Sequence, residues 1–300
     1  NLVTHRGATI SFTTNMDIRP AVEVNGARFK GKKGKIHEII IDGLEAFKRY
    51  DYTIYYGDFS QTYSFRTAPE PGSRTAFTFA YASDSRSGNG GGERDIYGTN
   101  FYIMKKIMAL AKYHNAAFFQ FTGDLVNGYQ TQYKQIELEY ANWKRAVQPF
   151  GAYFPIYVGM GNHEALMREF SEENRWYVSI DRFPFESESS EAIFARNFVM
   201  PENGPVSEDG TIYDPSSGSR DFPSYSENVF YYTYDNVAVI VLNSDYFYAP
   251  TTNMVKFSSG NIHGYIMDRQ LEWLDETIET LEGDDSIDHI FLTLHTPFFP

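Results

Sequence analysis

Phe118-Phe119-Gln120-Phe121-Thr122-Gly123-Asp124-Leu125-Val126-Asn127-Gly128 is the stretch whose reading decides the fold. Phenylalanines at 118, 119 and 121 lead into a Gly-Asp pair. That is the pattern of a buried strand that stops abruptly and presents one carboxylate at its C-terminal end. In sheets flanked by helices, this edge is where ligands bind. Taken singly, Gly-Asp after a strand is also an ordinary turn signal. The construction gains meaning because it recurs at three other places in the chain.

Upstream, residues 76–82 read as a strand ending at Ser83-Asp84. Downstream, residues 154–159 end in Met160-Gly161-Asn162-His163-Glu164, and residues 290–294 run into His295-Thr296-Pro297. Between them Ile103, Ile107, Met108 and Ala111 fall at helical spacing, and helices are also expected over 131–147 and 268–281. Strand, helix, strand, helix, strand implies a layered α/β domain whose strand ends converge on one edge. A hairpin is expected around Asp235-Asn236, and the run Ser87-Gly88-Asn89-Gly90-Gly91-Gly92 reads as flexible. Residues 186–225, rich in Ser, Gly and Pro, are expected to form a long loop, either a substrate-facing flap or a solvated excursion.

Before this region the grammar is all β. Residues 8–14 alternate cleanly, and further strands are expected over 21–24, 36–41, 50–56 and 62–67. Short strands with frequent turn signals indicate a β-sandwich, slightly short for one, so an edge strand upstream of Asn1 is expected. The linker Ala68-Pro69-Glu70-Pro71-Gly72-Ser73 divides the chain into domains at 1–69 and 74–300.

The bulk numbers narrow the partners. A formal charge of −13 disfavours a nucleic-acid polymer, whose phosphates would be repelled, and leaves a small phosphorylated substrate drawn to a bound cation. Cysteine is absent, which excludes disulfides, thiolate metal sites and a cysteine nucleophile. Any metal must therefore sit on Asp, Asn, His or Glu. No apolar run approaches the roughly 20 residues needed to span a bilayer. A cysteine-free chain beginning at Asn1 gives an extracytoplasmic expectation: periplasmic, surface or secreted. Nothing in the pattern bears on oligomeric state.

Four strand ends thus carry Asp84, Asp124, Asn162-His163-Glu164 and His295. Carboxylates, an amide oxygen and an imidazole are a hard-to-borderline donor set suited to two divalent or mixed-valence cations such as Fe, Zn or Mn. Two such metals about 3.5–4 Å apart clamp the entering and leaving oxygens of a phosphoryl transfer.

Gly-Asp, then Gly-Asn-His-Glu, then a strand ending in His-x-Pro resembles the calcineurin-like metallophosphoesterase superfamily. Trp143, Arg196-Asn197-Phe198-Val199-Met200-Pro201, Asn243-Ser244-Asp245 and Gln270-Leu271-Glu272-Trp273-Leu274 are similar to its purple acid phosphatase branch. Leu44 and the run from Tyr50 to Ser64-Phe65-Arg66-Thr67-Ala68-Pro69 resemble that branch's fibronectin type III-like N-terminal domain. The resemblance implies an all-β sandwich followed by a four-layer α/β sandwich, two mixed β-sheets flanked by helices. It implies hydrolysis of phosphate mono- or diesters with a metal-bridging hydroxide as nucleophile. Asp84 would bind the first metal, Asp124 would bridge both, and Asn162 and His295 would bind the second. His163 would face the phosphate as general acid or charge stabiliser, and Glu164 would orient or cap.

Three departures stand out. Asn127 occupies the position where purple enzymes carry a tyrosine. Arg86 replaces a histidine of most other members and cannot ligate. Two readings of Arg86 are open: bidentate capture of a substrate phosphate, or a salt bridge that neutralises crowded carboxylates. The family's closing Gly-His-x-His is not found up to Pro300, so the native chain is expected to continue; His263-Gly264 has the wrong order and precedes a helix, and is not taken as its substitute. These departures keep open a second function, a catalytically degenerate binding or structural module on the same fold.

Overall fold

The computed structural model describes all residues except 88–95, 131, 165–166, 172–175, 180–183, 213, 250–259 and 298–300, with the backbone alone described for 167–171 and 176–179. The glycine-rich run from Gly88 to Gly92 therefore lies outside the described residues.

Alternation builds the N-terminal sheets. Strand β1 (Ala8–Ile18) pairs antiparallel with β4 (Gly34–Ile41), while β2 (Ala21–Val24), β3 (Ala27–Lys30), β5 (Arg49–Tyr56) and β6 (Phe59–Arg66) form an antiparallel sheet in the order β3-β2-β5-β6. Along β5, Tyr50, Tyr52 and Ile54 are buried while Arg49 and Asp51 face outward. They meet Val22, Val24, Ile39, Ile41 and Phe65 in one core. Strand β3 escaped the sequence reading because its Arg28 and Lys30 are not core residues. The signal for it was Asn25-Gly26, whose positive φ values of 51° and 78° make the two-residue turn from β2 to β3. The Tyr52 hydroxyl donates to the Ala152 carbonyl at 2.7 Å, tying these sheets to the α/β part of the chain.

That α/β part opens on a parallel sheet. Strands β7 (Ala80–Ala82), β8 (Phe119–Phe121) and β9 (Ile156–Val158) alternate with α1 (Phe101–Tyr113) and α2 (Tyr133–Gly151). The three strands form a sheet that is parallel throughout its described strands, not mixed as expected. Only residues 80–82 of the expected first strand join the ladder; Phe77 and Phe79 instead pack against the core beside Phe118. Next comes a hairpin of β10 (Met167–Ser171) and β11 (Trp176–Ser179). After it lie α3 (Phe185–Glu188) and α4 (Ser190–Asn197), where a loop was expected. The Ser189 side chain accepts from Ala192 N–H and caps α4, whose Ile193 and Phe194 are fully buried, so apolar packing outweighs the polar composition of this stretch.

The last sheet is mixed. Strand β12 (Phe230–Tyr234) pairs antiparallel with β13 (Val237–Val241), which pairs parallel with β14 (His289–Thr293) beyond α5 (Asp268–Glu282). Strand β13 is Val-Ala-Val-Ile-Val, buried at every position, as a strand covered on both faces requires. One face packs on the parallel sheet through aromatic contacts: Tyr157 stacks on Tyr232 at 3.7 Å, and Phe118 meets Tyr157, Tyr232 and Tyr234. The other face, with Ala238 and Ile240, joins Leu281 of α5 in a separate cluster.

Candidate metal centre

Parallel pairing puts Ala82, Phe121 and Val158 side by side. Asp84, Asp124 and Asn162 therefore leave the sheet together at one edge, and His295 arrives from the end of β14. The chain turns sharply there, with φ of 59° at Asp84, 100° at Gly123 and 54° at Asp124. Left-handed backbone is costly for a residue with a Cβ, and such strain persists where the surroundings hold it. Here they do. Asp84 N–H donates to the Gly123 carbonyl at 3.2 Å, Arg86 N–H to the Asp124 carbonyl at 3.1 Å, and Ser85 Oγ to the Leu125 carbonyl at 3.0 Å. Trp143 of α2 then donates through Nε1 to Ser85 Oγ at 2.8 Å.

Glu164 ties the other pair of turns. Its fully buried carboxylate accepts from the N–H groups of Asp124 and Leu125 at 2.9 Å each and of Gly161 at 2.7 Å. It is an orienting group, with both oxygens engaged by backbone. Burial raises its pKa well above the ordinary carboxylate value, and the three N–H donors pull the other way. Gly161 is required by closeness: a Cβ there would lie 2.6 Å from Asp124 Oδ1 and 2.9 Å from His295 Cγ.

Asp84, Asp124 and His295 each present a ligand atom within 4.8 Å of the others. His295 places Nδ1 3.1 Å from the Thr122 carbonyl oxygen, which only accepts, so Nδ1 carries a proton and Nε2 is the nitrogen turned into the cluster. Nε2 lies 3.3 Å from Asp124 Oδ1 and 3.2 Å from Asn162 Oδ1. Two carboxylates, an amide oxygen and a ring nitrogen around one small space are a donor set of the kind divalent metals take. Asp84, Asp124, Asn162 and His295 thus fit a divalent metal and would hold it. Burial pushes the Asp124 carboxyl above its ordinary value, opposed by the nearby His295 and His163.

His163 borders this cluster. Its N–H donates to Asp124 Oδ1 at 3.1 Å, its Nδ1 bonds the Asn127 carbonyl, and its Nε2 stands 3.7 Å from Asp124 Oδ2. Asn127, at the position where purple enzymes carry a tyrosine, therefore serves through its backbone. Burial lowers the His163 pKa. Arg86 places Nε 3.2 Å from Asp124 Oδ2, so of its two readings the ion pair is the contact present; its side chain remains 41% exposed.

Sequence reading passed over three side chains here. His263 bonds buried Asp245 through Nδ1, approaches Thr296 Oγ1 at 3.2 Å through Nε2, and has its ring centroid 6.4 Å from that of His295. Asp245 raises its pKa. The wrong motif order that set His263 aside did not keep it from the site. Tyr129 and Tyr248 stack at 6.2 Å, and the Tyr129 ring lies 4.3 Å from that of His163. Asp245 belongs to the Asn243-Ser244-Asp245 run that follows β13; nothing local marked the tyrosines.

A solved structure of PhoD shares the fold, with a TM-score of 0.59 and 15% identity over 97% of this chain and 60% of PhoD. The chain thus spans 60% of the length of that structure. A dimetal phosphatase from Danio rerio matches at a TM-score of 0.41 and 12% identity over 76% of this chain and 71% of its own, too distant to carry an argument. No curated protein matches by sequence. Residues 95–298, more than half of the chain, match the calcineurin-like phosphoesterase family, and the chain belongs to that family.

Proposed function

We propose that the protein hydrolyses phosphate mono- or diesters at a binuclear metal centre on the strand-end edge. The observation that carries this reading is the convergence of acceptors from Asp84, Asp124, Asn162 and His295, with His163 beside them. Two divalent cations bound there supply an activated water and neutralise charge on the phosphoryl oxygens. Asp84 would hold the first cation, Asn162 and His295 the second, and Asp124 would contribute to both. His163, held through Nδ1 by the Asn127 carbonyl, turns Nε2 toward the reacting phosphate, where it stabilises charge or donates a proton to the leaving oxygen. Arg86 holds one Asp124 oxygen and keeps its remaining donors for a phosphate.

The same reading places the chain in the purple acid phosphatase-like branch, with a fibronectin III-like sandwich at 1–69, a four-layer phosphoesterase domain at 74–300 and an extracytoplasmic location. Among the described residues no helix is long and apolar enough to cross a membrane. A second reading, a degenerate binding module, draws on the Arg86–Asp124 ion pair, which neutralises a carboxylate that a metal would otherwise neutralise.

The test compares p-nitrophenyl phosphate with bis-p-nitrophenyl phosphate, using full-length protein that is metal-free or supplied with Mn, Zn or Fe. Metal-dependent release that both Asp124→Asn and His163→Ala reduce by orders of magnitude supports the enzyme, and the better substrate gives the ester class. Stoichiometric metal without turnover on either ester contradicts it.

A further inference from the structure

Five rings line the strand-end edge in a continuous wall. The centroids of His163 and Tyr129 lie 4.3 Å apart, those of Tyr129 and Tyr248 6.2 Å, of Tyr248 and His263 6.2 Å, and of His263 and His295 6.4 Å. Asp124 lies between the two ends of this wall: His163 Nε2 stands 3.7 Å from its Oδ2 and His295 Nε2 3.3 Å from its Oδ1. Ligation and phosphate contact account for His295 and His163. Neither accounts for His263, although its side chain is the most open of the three, 46% exposed against 16% for His163 and 9% for His295.

A buried carboxylate holds this open ring. The Asp245 side chain is 1% exposed; its Oδ1 bonds His263 Nδ1, and Ser244 Oγ donates to its Oδ2 at 2.9 Å. Burying a carboxylate is costly and its partners must offset the cost. A half-exposed imidazole, by contrast, could satisfy its nitrogens with water. What the pair achieves is a fixed ring: with Nδ1 on Asp245, Nε2 lies 3.2 Å from Thr296 Oγ1, one residue beyond His295. The backbone holds the same place. Gly264 N–H donates to the Ser244 carbonyl at 3.0 Å, and a Cβ at Gly264 would lie 2.9 Å from Thr296 Cγ2, so the chain at 263–264 is pressed against the segments that follow β13 and β14.

We propose that His263 is a substrate-contacting residue that binds the phosphate ester on the His295 side of the metal centre, and that Asp245 is its positioning residue. This rests on the binuclear reading above and adds to it a second histidine with a different task. His163 touches Asp124 directly and serves the bond-breaking step; His263 stands one ring further out and holds a phosphoryl oxygen that does not react. A contact of that kind, equal in the ground and transition states, acts on KM and leaves kcat alone.

The experiment titrates inorganic phosphate by calorimetry into full-length protein loaded with Mn(II), alongside steady-state kinetics on whichever p-nitrophenyl ester is turned over. The parent, His263→Phe, Asp245→Asn and the double variant are compared. A hydrogen bond to a charged group is worth about 10-fold in affinity. His263→Phe, which keeps a ring in the wall, is expected to weaken phosphate and raise KM by about that factor, with kcat and Mn(II) affinity held. Asp245→Asn alone gives a smaller loss of the same kind, and adds nothing in the His263→Phe background. Parent-like phosphate affinity and KM in His263→Phe overturn the proposal, as does a loss of Mn(II) binding in that variant, which would place His263 among the metal-binding groups. A further loss from Asp245→Asn in the His263→Phe background overturns the role given to Asp245. A parent that binds no Mn(II) overturns the binuclear reading and this inference with it.

Discussion

The N-terminal sheets and the strand-end edge of the α/β region solve opposite problems. In the first, polar and apolar residues separate by alternation, so Tyr50, Tyr52 and Ile54 go inward and Asp51 goes outward. Among its left-handed positions, Asn25, Gly26 and Phe47 sit at exposed turns. At the second, Asp124, Glu139, Glu164 and Asp245 are all nearly inaccessible to solvent, and Asp84 and Asp124 both adopt left-handed backbone. A core built by alternation is adjustable, because each apolar contact is replaceable at modest cost. Buried carboxylates are tolerated only while every partner is present.

The largest expected effect comes from that asymmetry. Asp124→Asn removes the carboxylate that His163, His295 and Arg86 all face, and is expected to abolish metal-dependent hydrolysis by a factor on the order of 10³ or more while thermal unfolding shifts little. A variant that keeps full turnover would erase the contrast between the two regions. Glu164→Gln should come next. It sets an amide NH₂ against at least one of the three backbone N–H donors, and is expected to cost ~3 kcal/mol of stability in denaturant titration together with most of the activity.

In the N-terminal sheets, Ile54→Ala is expected to cost about 2–4 kcal/mol, as a buried truncation does, with Mn(II) affinity unchanged. Altered metal affinity in that variant would show the two regions to be coupled. The smallest effect concerns Glu227, whose pKa burial raises to about 7 from 4.5 although Met200 N–H donates to it. The folded state then holds a proton that the unfolded state releases between pH 4.5 and 7, so this group's contribution to stability is full below that window and is lost as pH rises through it. Discounted for its partly open surroundings, the loss is about 1 kcal/mol, and Glu227→Gln is expected to flatten the pH dependence of urea midpoints across that window.

The same division governs how much the sequence disclosed. Period-two alternation located β1, β2, β4, β5 and β6, and the Phe-rich run ending in Gly123-Asp124 located β8 and its carboxylate. The strand ends Asp84, Asn162 and His295 were legible because each closes an apolar run, and the structure brings their side chains together with Asp124. Helix α4 was hidden by Ser and Glu positions that turn out to be buried. His263 and Tyr248 were hidden because no local pattern marks them: they reach the site through contacts with Asp245 and Tyr129 that only the packed chain creates. Tyr129 is five residues beyond the motif aspartate, yet it is the left-handed backbone there that carries it to Asn162.

The most direct test of the central claim measures bound metal and hydrolysis on one preparation. Full-length protein is assayed for metal per chain by mass spectrometry and for release of p-nitrophenol from the paired esters, before and after Asp124→Asn. The account predicts two metal ions per parent chain and turnover, both lost together in the variant. A parent chain that carries no metal, or one whose turnover survives the loss of Asp124, would contradict it.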